Sequence, residues 1–90
     1  MLSDIPKKID KKNLDNQIAR AGMIAELDAV SLYEQLAAMT SNEALKKVLL
    51  SVAKEEKTHI GEFQALLLKG DKEQAKELES GKKEVRELTE

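Results

Sequence analysis

Four residues, Thr40-Ser41-Asn42-Glu43, supply the turn between two long helix-forming runs and the cap of the second, and so short a connection folds helices back on one another as an antiparallel hairpin. Thr40 and Glu43 have the spacing of a capping box. The second helix is therefore expected from about Asn42 to Lys69, with Gly70 as a normal C′ residue. The first can begin near Asn13, a fair N-cap, and run to about Met39. Upstream, Pro6 and scattered charge without apolar periodicity read as an extended arm. Downstream, Asp71 with Gln74 has the form of another cap pair. It opens a weaker helix that Ser80-Gly81 is expected to interrupt before Lys82 to about Leu88. The expected organisation is an arm over 1–12, a helical hairpin over 13–70 and a short C-terminal helical segment over 71–90.

Composition agrees with an all-α fold. Charged residues make up 36% of the 90, and the aromatics are Tyr33 and Phe63 alone. Ninety residues are at the low end of what buries an adequate core without help, so oligomerisation is expected. A net charge of −2 argues against nucleic acid as the main partner. Lys7, Lys8, Lys11 and Lys12 do cluster, but Asp4, Asp10 and Asp15 interrupt them, which reads as a solvated tail. No apolar run approaches the ~20 residues of a membrane span, and no signal-peptide pattern opens the chain, so a soluble cytoplasmic protein is expected. The absence of Cys removes disulfides, thiolate zinc sites, iron–sulfur clusters and cysteine catalysis. A metal would have to be held by oxygen and imidazole, a set that suits Fe, Mn or Zn.

The apolar faces show where such a metal could sit. On the first helix the inward stripe is Ile18, Gly22, Glu26, Ala29, Val30, Tyr33, Leu36 and Ala37. On the second it runs Leu45, Val48, Leu49, Val52, Ala53, then Phe63, Leu66 and Leu67. Glu56 and His59 occupy the gap in that series, and Glu26 stands inside the first. Glu56 and His59 are three positions apart and share a helix face. With 12 Glu in the chain, the lone His meets a Glu at i−3 by composition about once in seven or eight. Position carries more weight than pattern. At about 1.5 Å per residue, Glu26 and Glu56 both lie roughly 21–24 Å from the turn, side by side. Polar groups in an apolar stripe need partners. A metal is one, and a buried polar layer that sets helix register is the other. Like charges repel without a cation between them, which favours the metal.

Glu-x-x-His on one helix and a single Glu on another are half of a di-iron bundle site, which takes two of each. The missing core and the missing ligands call for the same partner. Two chains about a two-fold axis would form a four-helix bundle with the metals astride that axis.

The runs Ile24-Ala25-Glu26-Leu27-Asp28-Ala29-Val30-Ser31-Leu32-Tyr33-Glu34, Lys54-Glu55-Glu56-Lys57-Thr58-His59 and Gly61-Glu62-Phe63-Gln64-Ala65-Leu66-Leu67-Leu68 resemble the encapsulated ferritins. The likeness runs from about Ile18 to Leu88, and is strongest to the ferritin-like region at the N-terminus of archaeal encapsulin shell proteins. It implies a ferroxidase that oxidises Fe(II) for mineral storage inside an encapsulin nanocompartment, with a di-iron site shared between subunits and a ring of five dimers. By the same resemblance Glu56 is the bridging carboxylate and Glu26 and His59 are terminal ligands. Tyr33 is a tyrosine beside the iron, and Asp28 is an acidic residue on the metal's way in. Leu32 stands where some members have tryptophan. Free cargo members end in a shell-docking tail and fused members continue into the shell, and neither follows Glu90 here, so the compartment rests on the resemblance. Two rivals remain at this level: a metal-free helical assembly module, and a peroxide-reducing di-iron protein of rubrerythrin type, against which the lack of Cys argues.

Overall fold

The computed structural model describes residues 11–90, and the expected arm, with Pro6, Lys7 and Lys8, lies outside the described residues except at its end. Three helices follow in order: α1 (Lys11–Met39), α2 (Glu43–Gly70) and α3 (Lys72–Thr89). No strand is present among the described residues. The first helix starts two residues before Asn13.

The α1–α2 turn is capped by Asn42, and Thr40 serves it in a different way from that expected. Asn42 has extended backbone (φ −81°, ψ 110°), and its side-chain oxygen accepts from the Leu45 amide at 2.9 Å. Thr40 instead holds the cap itself, its Oγ1 accepting from the Asn42 amide at 3.1 Å. The cap therefore sits two residues later than the Thr40–Glu43 spacing suggested. Asn matches Ser and exceeds Thr as an N-cap.

At the other end of α2 a single residue, Asp71, makes the junction. Its amide donates to the Leu67 carbonyl at 2.8 Å, closing α2, and its Oδ1 accepts from the Gln74 amide at 2.9 Å, opening α3. The same carboxylate pairs with the Arg20 guanidinium of α1. Gly70 is the last residue of α2, and no described glycine has a positive φ, so the left-handed stop expected there is absent. Its smallness serves another purpose. The Asn16 amide donates to the Gly70 carbonyl at 3.0 Å, and a Cβ at 70 would collide with the Asn16 amide oxygen.

The interruption expected at Ser80-Gly81 does not occur, and α3 is continuous. A glycine inside a helix costs only about 1 kcal/mol against alanine. Against it stand the Asp71 cap, Glu73 in the first turn and Arg86 in the last, both favourable to the helix dipole.

Contacts between α1 and α2 run antiparallel: Asn16 meets Gly70, Gly22 meets Phe63, and Glu26 meets His59. Among the described residues the buried ones are Ala19, Val30, Ala37, Ala53 and Leu67, a thin core along the hairpin seam. Among the described helices α3 packs against α2 and not α1, and it projects away from the pair, giving a body of 47 × 43 × 19 Å. The radius of gyration is 16.5 Å, against roughly 12 Å for a compact domain of this length.

Several residues placed on the inward stripes remain exposed, among them Ile18, Leu36, Leu45, Val48 (59%) and Leu66 (64%). A globular helix has an apolar stripe wider than 100°, and one neighbour covers only part of it. Successive residues turn by about 100°. By that step Ile18, Leu32 and Leu36 lie on one flank of α1's seam line. In an antiparallel pair, Val48, His59 and Leu66 of α2 turn to the same side. The hairpin thus has an apolar face with His59 in its middle.

Candidate metal centre

Glu26 comes from the middle of α1, and Glu56 and His59 from consecutive turns of α2. Each occupies the seam because the apolar residues around it, Val30 and Ala53 among them, bury the same stripe. One donor atom from each lies within 4.8 Å of the others, the one such group of three or more potential ligands among the described residues. His59 Nδ1 stands 3.5 Å from Glu26 Oε2 and 3.5 Å from Glu56 Oε2. The two carboxylate side chains are mostly buried, and the imidazole is 43% exposed toward the apolar face. Donors around one ion stand about 3–4 Å apart when the bonds are near 2.1 Å. Small side-chain adjustments would therefore close this group on a cation.

The chemistry of the group is unfinished without one. At 3.5 Å the imidazole is in ion-pair range, yet Glu26 Oε2 is buried and has no hydrogen-bond partner. A buried acceptor left unmatched costs roughly 1–3 kcal/mol. A register-setting polar layer would satisfy its members, since a half-satisfied network is worse than an apolar one. A cation would supply what Glu26 lacks.

The other residues of interest are arranged around this trio. Tyr33 is half-buried on α1, two turns beyond Glu26 on the same face. Asp28 is exposed, about 160° around α1 from Glu26, and is not part of the cluster. Leu32 is half-exposed on the apolar face. On the opposite side Lys57 Nζ pairs with Glu34 at 3.2 Å across the seam, and both side chains are exposed. Sequence reasoning placed Gly22 and Phe63 on the right stripes but did not pair them. The Phe63 ring lies directly against Gly22, one turn from Glu26 on α1 and one turn from His59 on α2. A glycine inside an otherwise apolar helical stripe was the available signal.

Two antiparallel helices with Glu on one and Glu-x-x-His on the other form the half-bundle arrangement of ferritin-like carboxylate proteins. The chain belongs to the EncFtn-like family, whose sequence profile matches residues 1–85. It is 56% identical over 73 residues to the ferritin-like–encapsulin shell fusion protein of Pyrococcus furiosus, a match covering 81% of this chain and 21% of that protein. To the encapsulin nanocompartment cargo protein EncC of Myxococcus xanthus it is 34% identical over 85 residues, covering 94% of this chain and 65% of that protein. It thus spans about a fifth of the first relative and somewhat under two thirds of the second. The fold matches the crystal structure of the encapsulated ferritin domain from Pyrococcus furiosus with a TM-score of 0.87 and 49% identity, over 98% of this chain and 90% of that one.

Proposed function

We propose that the chain is a ferroxidase: two copies bring Glu26, Glu56 and His59 together around a pair of Fe(II) ions, which are the substrate. The observation that carries this reading is the orphaned, buried Glu26 Oε2 facing a carboxylate and an imidazole from the other helix. Two Fe(II) held side by side supply two electrons together to oxygen or peroxide. Glu56 bridges, Glu26 and His59 hold the outer positions, Tyr33 lies alongside, and Asp28 draws cations toward the entrance. Carboxylates and imidazole suit Fe, Mn and Zn alike, so the substrate is set by supply as well as affinity.

Pairing is supported by the apolar face. Ile18, Leu32, Leu36, Val48 and Leu66 are exposed beside His59, and a hairpin with so thin a core needs that area covered. A two-fold partner would cover it with the same face and supply the second half of the ligand set. The α3 arm, exposed along Leu78, Val85 and Leu88, extends the assembly into a larger even-numbered ring, a decamer by likeness to the family. A small helical ring has no mineral-sized cavity, so storage falls to a container. The names of the two relatives supply one, an encapsulin shell, and a cytoplasmic nanocompartment is the location we propose. No helix among the described residues is long and apolar enough to cross a membrane.

Anaerobic Fe(II) titration of the native chain and of Glu56→Ala, read with the oligomer mass, tests the proposal. The expected result is about one iron per chain in even-numbered assemblies, lost in the variant. Iron binding indifferent to Glu56 would leave a metal-free assembly module. Faster turnover with peroxide than with oxygen would favour the rubrerythrin-type reading.

A further inference from the structure

We infer that Gly22 and Phe63 are positioning residues that set the helix spacing at the three-donor group. This rests on the metal reading of Glu26, Glu56 and His59. Gly22 lies one turn before Glu26 on α1, and Phe63 one turn after His59 on α2, so the two form the layer next to the ligands. A Cβ placed on Gly22 would lie 2.9 Å from each of three ring atoms, Cδ1, Cε1 and Cζ of Phe63. Carbon atoms pack best at about 3.5–4.0 Å. The ring is therefore seated on bare backbone, a close approach that only glycine allows.

Any side chain at 22 leaves two routes of relief. Either the helices part by about half an ångström or more, or the ring swings toward the preceding turn of its own helix, where His59 stands. The first moves Glu26 away from Glu56 and His59, and the second moves His59. Ligand groups have to be held to within about 0.5 Å to work together, so both routes loosen the site. The layer contains no donor to metal. Its influence passes through the spacing alone.

Gly22→Ala separates this role from general packing, because alanine is the better helix former and the lost glycine entropy works in its favour. Co(II) titration with absorption readout is made on the full chain, on Gly22→Ala, on Phe63→Leu and on the double variant. Gly22→Ala is expected to bind Co(II) at least about 10-fold more weakly with an altered ligand-field band, while keeping its helicity by circular dichroism. The double variant, where the smaller leucine makes room, is expected to recover to within about 3-fold of Phe63→Leu. Native affinity in Gly22→Ala, or no recovery in the double variant, would overturn the inference. Absence of Co(II) binding by the native chain would overturn the metal reading instead. The spacing is then read without metal, from the His59 ring protons by NMR. They are expected to shift in Gly22→Ala and return toward the Phe63→Leu positions in the double variant, and unchanged His59 signals would overturn the inference on that ground too.

Discussion

The hairpin and the α3 arm are built from similar residues and are held by different forces. Among the residues of α3 none is buried, yet the helix is satisfied locally from end to end. Asp71 caps its start, and near its end the Thr89 hydroxyl donates to the Val85 carbonyl at 2.7 Å. Glu79–Lys82 and Lys83–Glu87 pair along its surface. By contrast, α1 has no acid in its first turn and no base in its last. It is helical because Ala19, Val30 and Ala37 pack into α2. The seam that provides this packing is also where a buried carboxylate oxygen has no partner. A helix stabilised from within its own sequence contributes a surface, whereas helices stabilised by each other can hold groups in an unfinished state, which is what a binding site needs.

The strongest test of that contrast is Glu26→Leu. It should abolish stoichiometric metal binding, exceeding the roughly 10–100-fold loss that follows removal of a ligand's supporting partner. In chelator it should raise the unfolding free energy by about 1–3 kcal/mol, because the unmatched acceptor is gone. Equal loss of binding and stability would mean that Glu26 is satisfied in the hairpin after all. Next in size is Leu66→Lys on the apolar face. Burying a leucine contributes about 1.5–3 kcal/mol, and a two-fold interface loses it twice, so association should weaken about 100-fold or more. Sedimentation would then show mass falling toward the 10.0 kDa chain. Unchanged mass would show that this face is not the interface.

Smaller effects are expected at the arm. Asp71→Ala removes the α3 cap and the Arg20 pairing together and should cost about 1–2 kcal/mol in thermal or urea unfolding. Arg20→Ala removes only a partly exposed ion pair and should cost about 0.2–1 kcal/mol. A reversed order would mean that the tie to α1, and not the cap, holds the junction. Smallest and opposite in sign is Gly81→Ala. Nothing lies within 4 Å of a Cβ there, so helix propensity acts alone, adding about 0.5–1 kcal/mol without touching metal affinity. If Gly81→Ala were destabilising, α3 would be governed by a partner surface in the way the hairpin is governed by its seam.

Much of this was legible along the chain. The three-residue step from Glu56 to His59 and the equal distances of Glu26 and Glu56 from the turn are consequences of helix rise and pitch, and the trio duly converges within 4.8 Å. Asp71 with Gln74 was readable as a cap because N-capping is a local contact. The expected break at Ser80-Gly81 is absent because one glycine costs only about 1 kcal/mol, less than the Asp71 cap, the dipole-favourable Glu73 and Arg86 and the two surface charge pairs supply together. At Gly70 the expected left-handed stop gives way to a helix end without positive φ, whose carbonyl accepts from the Asn16 side-chain amide.

The sequence by itself determined the helices, their order, the turn and the level at which two carboxylates and an imidazole stand, since these depend on periodicities of a few residues. Only the tertiary structure decided that Glu26 keeps a buried oxygen without a hydrogen bond, that Phe63 rests on Gly22, and that Arg20 of α1 reaches Asp71. Those features depend on how closely two helices approach. That distance is set by side chains meeting from opposite ends of the chain, and neither helix contains it alone.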